Sequence, residues 1–254
     1  MPDPDGRSRI LILGGTAEAR RLADAVVERH GVAVDLITAL AGRLERRPTL
    51  GGRMRVGGFG GIDGLAGYLD AEKIDLLIDT THPFASVMSR HAEEAAIRAG
   101  VPRLMLVRPA WRAGTGDDWR EVDDLAAAAA LLPSLGPRTF LTTGVGGLTD
   151  FAAVAGAWYL VRLMEPARAP LPLPRYETVV GKPPYDPAEE RRLMEVHRIT
   201  AIVSKNSGGA ATEAKLTAAR ELGLPVILVR RPATPGGACV ETVSEALDWL
   251  TRRL

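Results

Sequence analysis

The sequence predicts an α/β protein built from two doubly wound parallel-sheet domains related by an internal repeat. Three observations carry this expectation. Short apolar runs alternate with helical patterns along the chain, as in βαβ units whose sheet is covered on both faces. The segments "DTTHPFASVMSRHAEEAAIRAGVPRLMLVRP" and "IVSKNSGGAATEAKLTAARELGLPVILVRRP" pass through the same succession of strand, polar turn, Ala-rich helix, Gly-x-Pro stop, apolar strand and Arg-Pro. Their landmarks keep one spacing of 123 positions, pairing Gly100 with Gly223, Pro102 with Pro225, Arg108 with Arg231 and Pro109 with Pro232.

The elements follow in order. "RILILGGTAEARRLADAV" (Arg9 to Val26) reads as a strand near 9–13, a Gly14-Gly15 turn and a helix near 17–30. Further strands are expected near 32–38, 53–57, 74–80 and 103–108, with helices near 62–72 and 85–99. Gly100 suits the residue just past a helix, and Pro102 then forbids its resumption. Asp123 is expected to cap the helix "DLAAAAALL". The joint is expected near "PSLGPR" (Pro133 to Arg138), dividing the chain into domains 1–136 and 137–254. Beyond it "RTFLTTGVGGL" stands where "RILILGGTAEA" stood, and "WYLVRLM" where "VAVDLIT" stood. "EPARAPLPLPR" (Glu165 to Arg175) is expected to be an ordered surface connection, since each proline removes a ladder donor. Thr242-Val-Ser-Glu245 forms a capping-box pattern before the last helix, "ALDWL".

Composition narrows the function classes. The 254 residues hold 32 Lys plus Arg against 31 Asp plus Glu, a net charge of +1 that argues against bulk nucleic-acid binding and leaves anion recognition to local clusters. Hydrophobic residues make up 46%, ordinary for a soluble globular chain, and no apolar run approaches the roughly 20 residues a membrane span needs. The opening "MPDPDGRS" is too polar and acidic for a signal peptide, so the expectation is a cytoplasmic protein. The single cysteine, Cys239, excludes an internal disulfide and is expected to be a small buried residue. No H-e-x-x-H, C-x-x-C or clustered histidine points to a metal, and the Walker pattern and the G-x-S-x-G elbow are both missing.

Doubly wound sheets bind ligands beyond the carboxyl ends of their strands, so the residues after each strand are the candidates. At Gly14, Gly15, Thr16, Ala17 and Glu18, missing Cβ atoms and a helix start let backbone N–H groups approach phosphate oxygens, although a purely structural double-glycine turn has the same spelling. Glu18 suits the helix dipole and can orient a ribose. Asp35 stands at the NAD-type distance from Gly14, yet "LIT" continues the strand beyond it, placing it short of the ligand edge. Thr38 is expected at the strand end, with Arg43, Arg46 and Arg47 following, a hydroxyl and cations suited to the 2′-phosphate of NADP. The loop "VGGFGGIDGL" (Val56 to Leu65) holds five glycines, with Phe59 a ring cover or a core residue. The turn of Thr80, Thr81, His82 and Pro83 answers that of Lys205, Asn206, Ser207, Gly208 and Gly209, the latter reading as an anion cradle.

With these residues laid out, the sequence resembles the precorrin-6A reductase family of vitamin B12 biosynthesis. The carriers are "ILGGTAEAR", "LAGR" (Leu40 to Arg43), "GGFGGIDGL", "DTTHPFA", "TTG" (Thr142 to Gly144), "SKNSGG" and "AARELGLPVILVRRP". One departure is "VVGKPPYDPAEE" (Val179 to Glu190), where relatives are expected to carry Gly-Pro-Phe. The resemblance implies NADPH-dependent reduction of one double bond of precorrin-6A, or of its cobalt form, to precorrin-6B. It also implies two Rossmann-like domains with the tetrapyrrole between them, and it admits a strand exchanged between the sheets. It assigns the cofactor to Gly14, Gly15, Thr16, Arg43 and the Thr80 to Pro83 turn of the first domain, and the substrate to Thr143, Gly144 and the Lys205, Asn206, Ser207 and Gly208 turn of the second. His82 and Lys205 are candidate proton donors, with water a third. Two other readings stay open at this point: a nucleotide-sugar glycosyltransferase or epimerase, and a non-catalytic two-lobed sensor.

Overall fold

The structure is a computed structural model that describes residues 6–40 and 51–254. In the first half β1 (Ser8–Leu13), α1 (Ala17–His30), β2 (Val34–Leu40), β3 (Arg53–Val56), α2 (Gly61–Ala71), β4 (Leu76–Asp79), α3 (Ser86–Ala99) and β5 (Arg103–Leu106) succeed one another as the pattern requires. They are followed by β6 (Trp119–Val122) and α4 (Leu125–Leu131). The second half holds β7 (Arg138–Leu141), β8 (Trp158–Leu163), β9 (Tyr176–Val180), α5 (Pro187–Val196), β10 (Ala201–Lys205), α6 (Ala214–Glu221), β11 (Val226–Val229), β12 (Ala238–Val240) and α7 (Val243–Thr251).

Each sheet has six parallel strands, in the orders β12-β5-β4-β1-β2-β3 and β6-β11-β10-β7-β8-β9. The two orders are the same once the halves are overlaid: winding starts at a central strand, runs outward twice, then returns to the other side of that strand. Period-two alternation within β1 explains the burial on both faces. Ile10 and Ile12 join one core with Leu22 and Val26 of α1, while Leu11 and Leu13 join the opposite core with Leu65 and Leu69 of α2 and Ala92 of α3. The expected helix stops hold: Gly100 and Gly223 sit at φ +66° and +63°, where glycine bears no steric penalty.

The boundary between the folded units differs from the expected one at 136/137. The chain separates into Met1–Arg108 with Pro232–Leu254, and Pro109–Arg231. The cause is an exchange of the last strand and helix of each half. Strand β5 takes β12 as its outer neighbour, Leu104 facing Ala238 and Leu106 facing Val240, whereas β11 takes β6, Val226 facing Trp119 and Val229 facing Val122. Helix α7 follows its strand, and Ala246, Leu247, Trp249 and Leu250 complete the core against α1.

Two smaller expectations are corrected and a third holds in part. The cap of α4 is Asp124, whose carboxylate accepts from the Ala127 N–H at 2.7 Å, while Asp123 pairs with Arg230 at 2.6 Å. Cys239 is exposed, because it lies on the three-residue edge strand β12. The core reading of Phe59 holds in part: it is half-buried against Tyr68, ring centroids 5.1 Å apart, under the Arg55 guanidinium at 3.9 Å. The capping box at Thr242 and Glu245 is present as expected.

Because α7 is sequence-distant yet buried in the first core, Leu250→Ala is expected to destabilise Met1–Arg108 by about 3 kcal/mol through transfer and cavity terms. Urea unfolding followed by exchange protection of β1 amides measures it.

Candidate active site

The first unit's site is built at the carboxyl edge where the winding reverses, between β1 and β4. Gly14 leaves β1 with its N–H donating to the Ala39 carbonyl at 2.8 Å, and a Cβ there would press on Thr38 and Leu40 at 3.2 Å. Gly15 has φ +115°, and the space a Cβ would fill above it is open. Thr16 then caps α1: its hydroxyl accepts from the Ala19 N–H at 3.1 Å and donates to the Thr80 carbonyl at 2.8 Å. The result is an open cradle at the start of a 14-residue helix, with the geometry that receives a phosphate group.

Thr80 secures the opposite side, its N–H and hydroxyl both donating to the Leu13 carbonyl at 3.0 and 2.7 Å. Asp79, fully buried, accepts from the Thr81 N–H and hydroxyl at 3.0 and 2.7 Å and so sets the next turn. His82 is exposed, its Nδ1 accepting from the Phe84 N–H at 3.2 Å. Thr16, Glu18, Thr80, Thr81 and Pro83 come together with Leu106, Val107 and Arg108 around a shallow, open depression.

Other candidates are not brought there. Thr38 is fully buried within β2 and packs beneath Gly14, because the strand runs on through Leu40. Asp35 is bound to Arg9 and Arg53 at 2.7 and 2.6 Å, which holds its carboxyl below the usual range despite the opposing effect of burial. Arg43, Arg46 and Arg47 lie outside the described residues. Glu18 accepts from Arg108 at 2.8 Å and from Arg21 at 2.9 Å. Sequence reasoning missed Arg108 as a site residue, although it marked it as one end of the repeat.

The second unit presents a denser edge. The Thr142 N–H and hydroxyl both donate to the Val203 carbonyl, at 3.0 and 3.1 Å. Lys205 is half-buried, with Nζ donating to the Thr143 carbonyl at 3.2 Å, and desolvation lowers its pKa below the ordinary lysine value. Gly144 follows with φ +76°. The Asn206 carboxamide grips the Trp111 main chain, accepting from its N–H at 2.9 Å and donating to its carbonyl at 3.2 Å. Arg231 clamps the same turn by donating to the carbonyls of Asn206 at 2.7 Å, Ser207 at 2.9 Å and Pro109 at 3.1 Å. Gly208, at φ +66°, has no room for a Cβ beside the Pro109 carbonyl. The edge therefore offers one desolvated ammonium on a turn fixed from below.

Among the described residues no group of acidic, histidine or cysteine side chains is arranged to hold a metal, and no helix is long and apolar enough to cross a membrane.

With this geometry in hand, the comparisons with known proteins are specific. The sequence profile of the family described as "Precorrin-6x reductase CbiJ/CobK" matches residues 9–251. The chain is 46% identical to "Precorrin-6A reductase" of Rhodococcus erythropolis, over 97% of this chain and 100% of that protein. It is 43% identical to "Precorrin-6A reductase" of Rhodobacter capsulatus, over 96% of each. A solved structure, "CobK precorrin-6A reductase", superposes with a TM-score of 0.91 at 42% identity, over 97% of both chains.

The Asn206 clamp gives a stability test. Asn206→Ala leaves a buried main-chain N–H and carbonyl of Trp111 without partners, which is expected to cost about 2 kcal/mol, read as a lowered Tm against Ser207→Ala.

Proposed function

The chain belongs to the precorrin-6x reductase family, and from that premise we propose that its hydride donor is NADPH, held at the Gly14-Gly15-Thr16 turn. The reaction is the reduction of precorrin-6A, a tetrapyrrole, in cobalamin biosynthesis, by an oxidoreductase acting on a CH–CH bond. The nucleotide-sugar reading is not favoured. The observation that carries the cofactor assignment is the open space above Gly15 beside a capped helix start. A pyrophosphate placed there would meet the Gly15, Thr16 and Ala17 amides within the positive end of α1.

When bound, a reduced nicotinamide supplies the hydride, so the protein needs no nucleophile and contributes position and electrostatics. Thr80, Thr81, His82 and Pro83 hold the nicotinamide half beside the turn. Arg43 reads the 2′-phosphate, the guanidinium suiting a bidentate contact. The cofactor role thus falls to Met1–Arg108 with Pro232–Leu254, and the substrate role to Pro109–Arg231. There Thr143, Gly144, Lys205, Ser207 and Gly208 receive the carboxylates that fringe the macrocycle, with Asn206 fixing their turn. The cobalt-free macrocycle is the substrate, in keeping with the names of the relatives at 46% and 43% identity. The enzyme works in the cytoplasm.

One double-bond carbon receives the hydride and its neighbour needs a proton. Lys205 is the better of the two donor candidates, because desolvation weakens its hold on the proton.

Thermal unfolding with NADPH, NADH and UDP added in turn tests the cofactor. NADPH at a hundredfold excess over Kd is expected to stabilise by about 2.7 kcal/mol, and Gly15→Val to abolish the effect. UDP alone stabilising, or none of the three, would overturn the reading. Arg43→Ala is expected to weaken NADPH at least tenfold while leaving NADH nearly unchanged, about the worth of a charge-assisted phosphate contact; equal losses would remove Arg43 from that role. A protonated Lys205 requires that kcat/KM fall as pH rises through its lowered pKa, and Lys205→Arg, which does not titrate there, should lose that alkaline limb.

A further inference from the structure

We propose that Arg108 is a positioning residue of the cofactor site: it fixes the Glu18 carboxylate and cancels its charge, so that the glycine turn keeps the positive potential a pyrophosphate needs. The inference rests on the cofactor reading above and adds a residue that the reading does not use.

Glu18 poses a physical problem. It is the second residue of α1, in the turn where the helix dipole attracts anions. There a carboxylate stabilises the helix, but it also occupies the field meant for a phosphate and repels one. The structure answers with two guanidinium groups. Arg108 Nη1 donates to Glu18 Oε2 at 2.8 Å, and Arg21 Nη2 donates to Oε1 at 2.9 Å. Their environments differ sharply: Glu18 and Arg108 side chains are 13% and 15% exposed, whereas Arg21 is 66% exposed. Solvent and salt screen the Arg21 pair, so the compensation falls mainly to Arg108.

The placement of Arg108 supports this. It follows β5, two residues beyond Leu106, and lines the same depression as Thr16, Thr80, Thr81 and Pro83. With both arginines the cluster carries one net positive charge beside the cradle, and without Arg108 it is neutral. The repeat supplies a control within the chain. Arg231, the counterpart of Arg108, donates to the carbonyls of its own turn, and Gly147 stands where Glu18 stands when "RTFLTTGVGGL" is laid on "RILILGGTAEA". The second half has no carboxylate at that position. The turns themselves are alike, since Gly144, the counterpart of Gly15, also has open space where a Cβ would lie. The carboxylate and its Arg108 partner are what set the first unit's turn apart.

The test is a fluorescence titration of the full chain with NADPH, comparing wild type, R108M, R108K, E18Q and E18Q/R108M. R108M is expected to weaken binding about tenfold, the effect of one half-screened charge near a phosphate. R108K should lose less. E18Q alone should tighten binding two- to threefold, and E18Q/R108M should recover most of the R108M loss. Raising the salt concentration should narrow the R108M deficit, which a packing defect would not do. A double variant as weak as R108M, or an E18Q that does not tighten, overturns the proposal even where R108M itself folds poorly. Gly15→Val separates the two levels. If it abolishes binding while R108M equals wild type, this inference falls and the cofactor reading stands. If it leaves binding unchanged, the cofactor reading falls and takes this inference with it.

Discussion

The carboxyl edge of the first sheet depends on one hydroxyl. Thr16 Oγ1 accepts from the Ala19 N–H and donates to the Thr80 carbonyl, so a single atom both caps α1 and ties the glycine turn across the gap to the next loop. The gap is unavoidable. Parallel strands need crossovers, and winding that runs outward from β1 and then returns through β4 leaves the loops on either side of the reversal pointing apart. Without a tie the turn would be free to vary, and a cradle for an anion works only when its donors are held in place. The second sheet meets the same demand at the same topological point. Thr142 donates its N–H and hydroxyl to Val203, as Thr80 does to Leu13. The donor sits after the fourth strand in one unit and after the first in the other, so the two seams are laced from opposite sides.

The elements that could be read from the sequence were those with period and punctuation. The apolar run of β1, the Gly-x-Pro stops after α3 and α6 and the capping box before α7 all lie where local chemistry puts them, because each is decided within a few residues. Thr38 was misplaced for the converse reason. Nothing polar marks the end of β2, and Ala39 and Leu40 extend it beyond the threonine, which leaves the hydroxyl beneath Gly14. The unit boundary was hidden by the repeat itself. When two halves share one pattern, β6 and β12 are equally good neighbours for β5 and β11. Periodicity cannot say which edge each strand joins.

The exchange has a thermodynamic consequence. Residues Pro232–Leu254 give the first unit an edge strand and a helix whose Trp249 and Leu250 are buried in its core. The first unit is therefore completed only after the whole second unit has been traversed by the chain, a long-range closure of the kind that slows folding more than it weakens the folded state. The same connection places Arg108 and Arg231 at the two points where the chain passes from one unit into the other. Each donates within the unit it terminates, Arg108 to Glu18 in the first turn of α1 and Arg231 to the turn after β10.

On the proposed division of roles, two halves that share one pattern are furnished differently. In the second unit Arg231, Asn206 and the close fit at Gly208 bind the turn after β10 to main-chain atoms, so its shape is fixed by the protein and its one desolvated charge, Lys205, is presented on a rigid support. In the first unit the turn after β1 is tied by the Gly14 N–H to the Ala39 carbonyl and by the Thr16 hydroxyl to the Thr80 carbonyl, and the space over Gly15 is left open. Arg108 reaches the Glu18 carboxylate there. On the proposed roles, the edge that admits a dinucleotide needs room and a tuned field, and the edge that meets a carboxylate-rimmed ring needs a fixed charge. The same Arg-Pro ends each repeat, with the Glu18 carboxylate among the partners of Arg108 and main-chain carbonyls among those of Arg231.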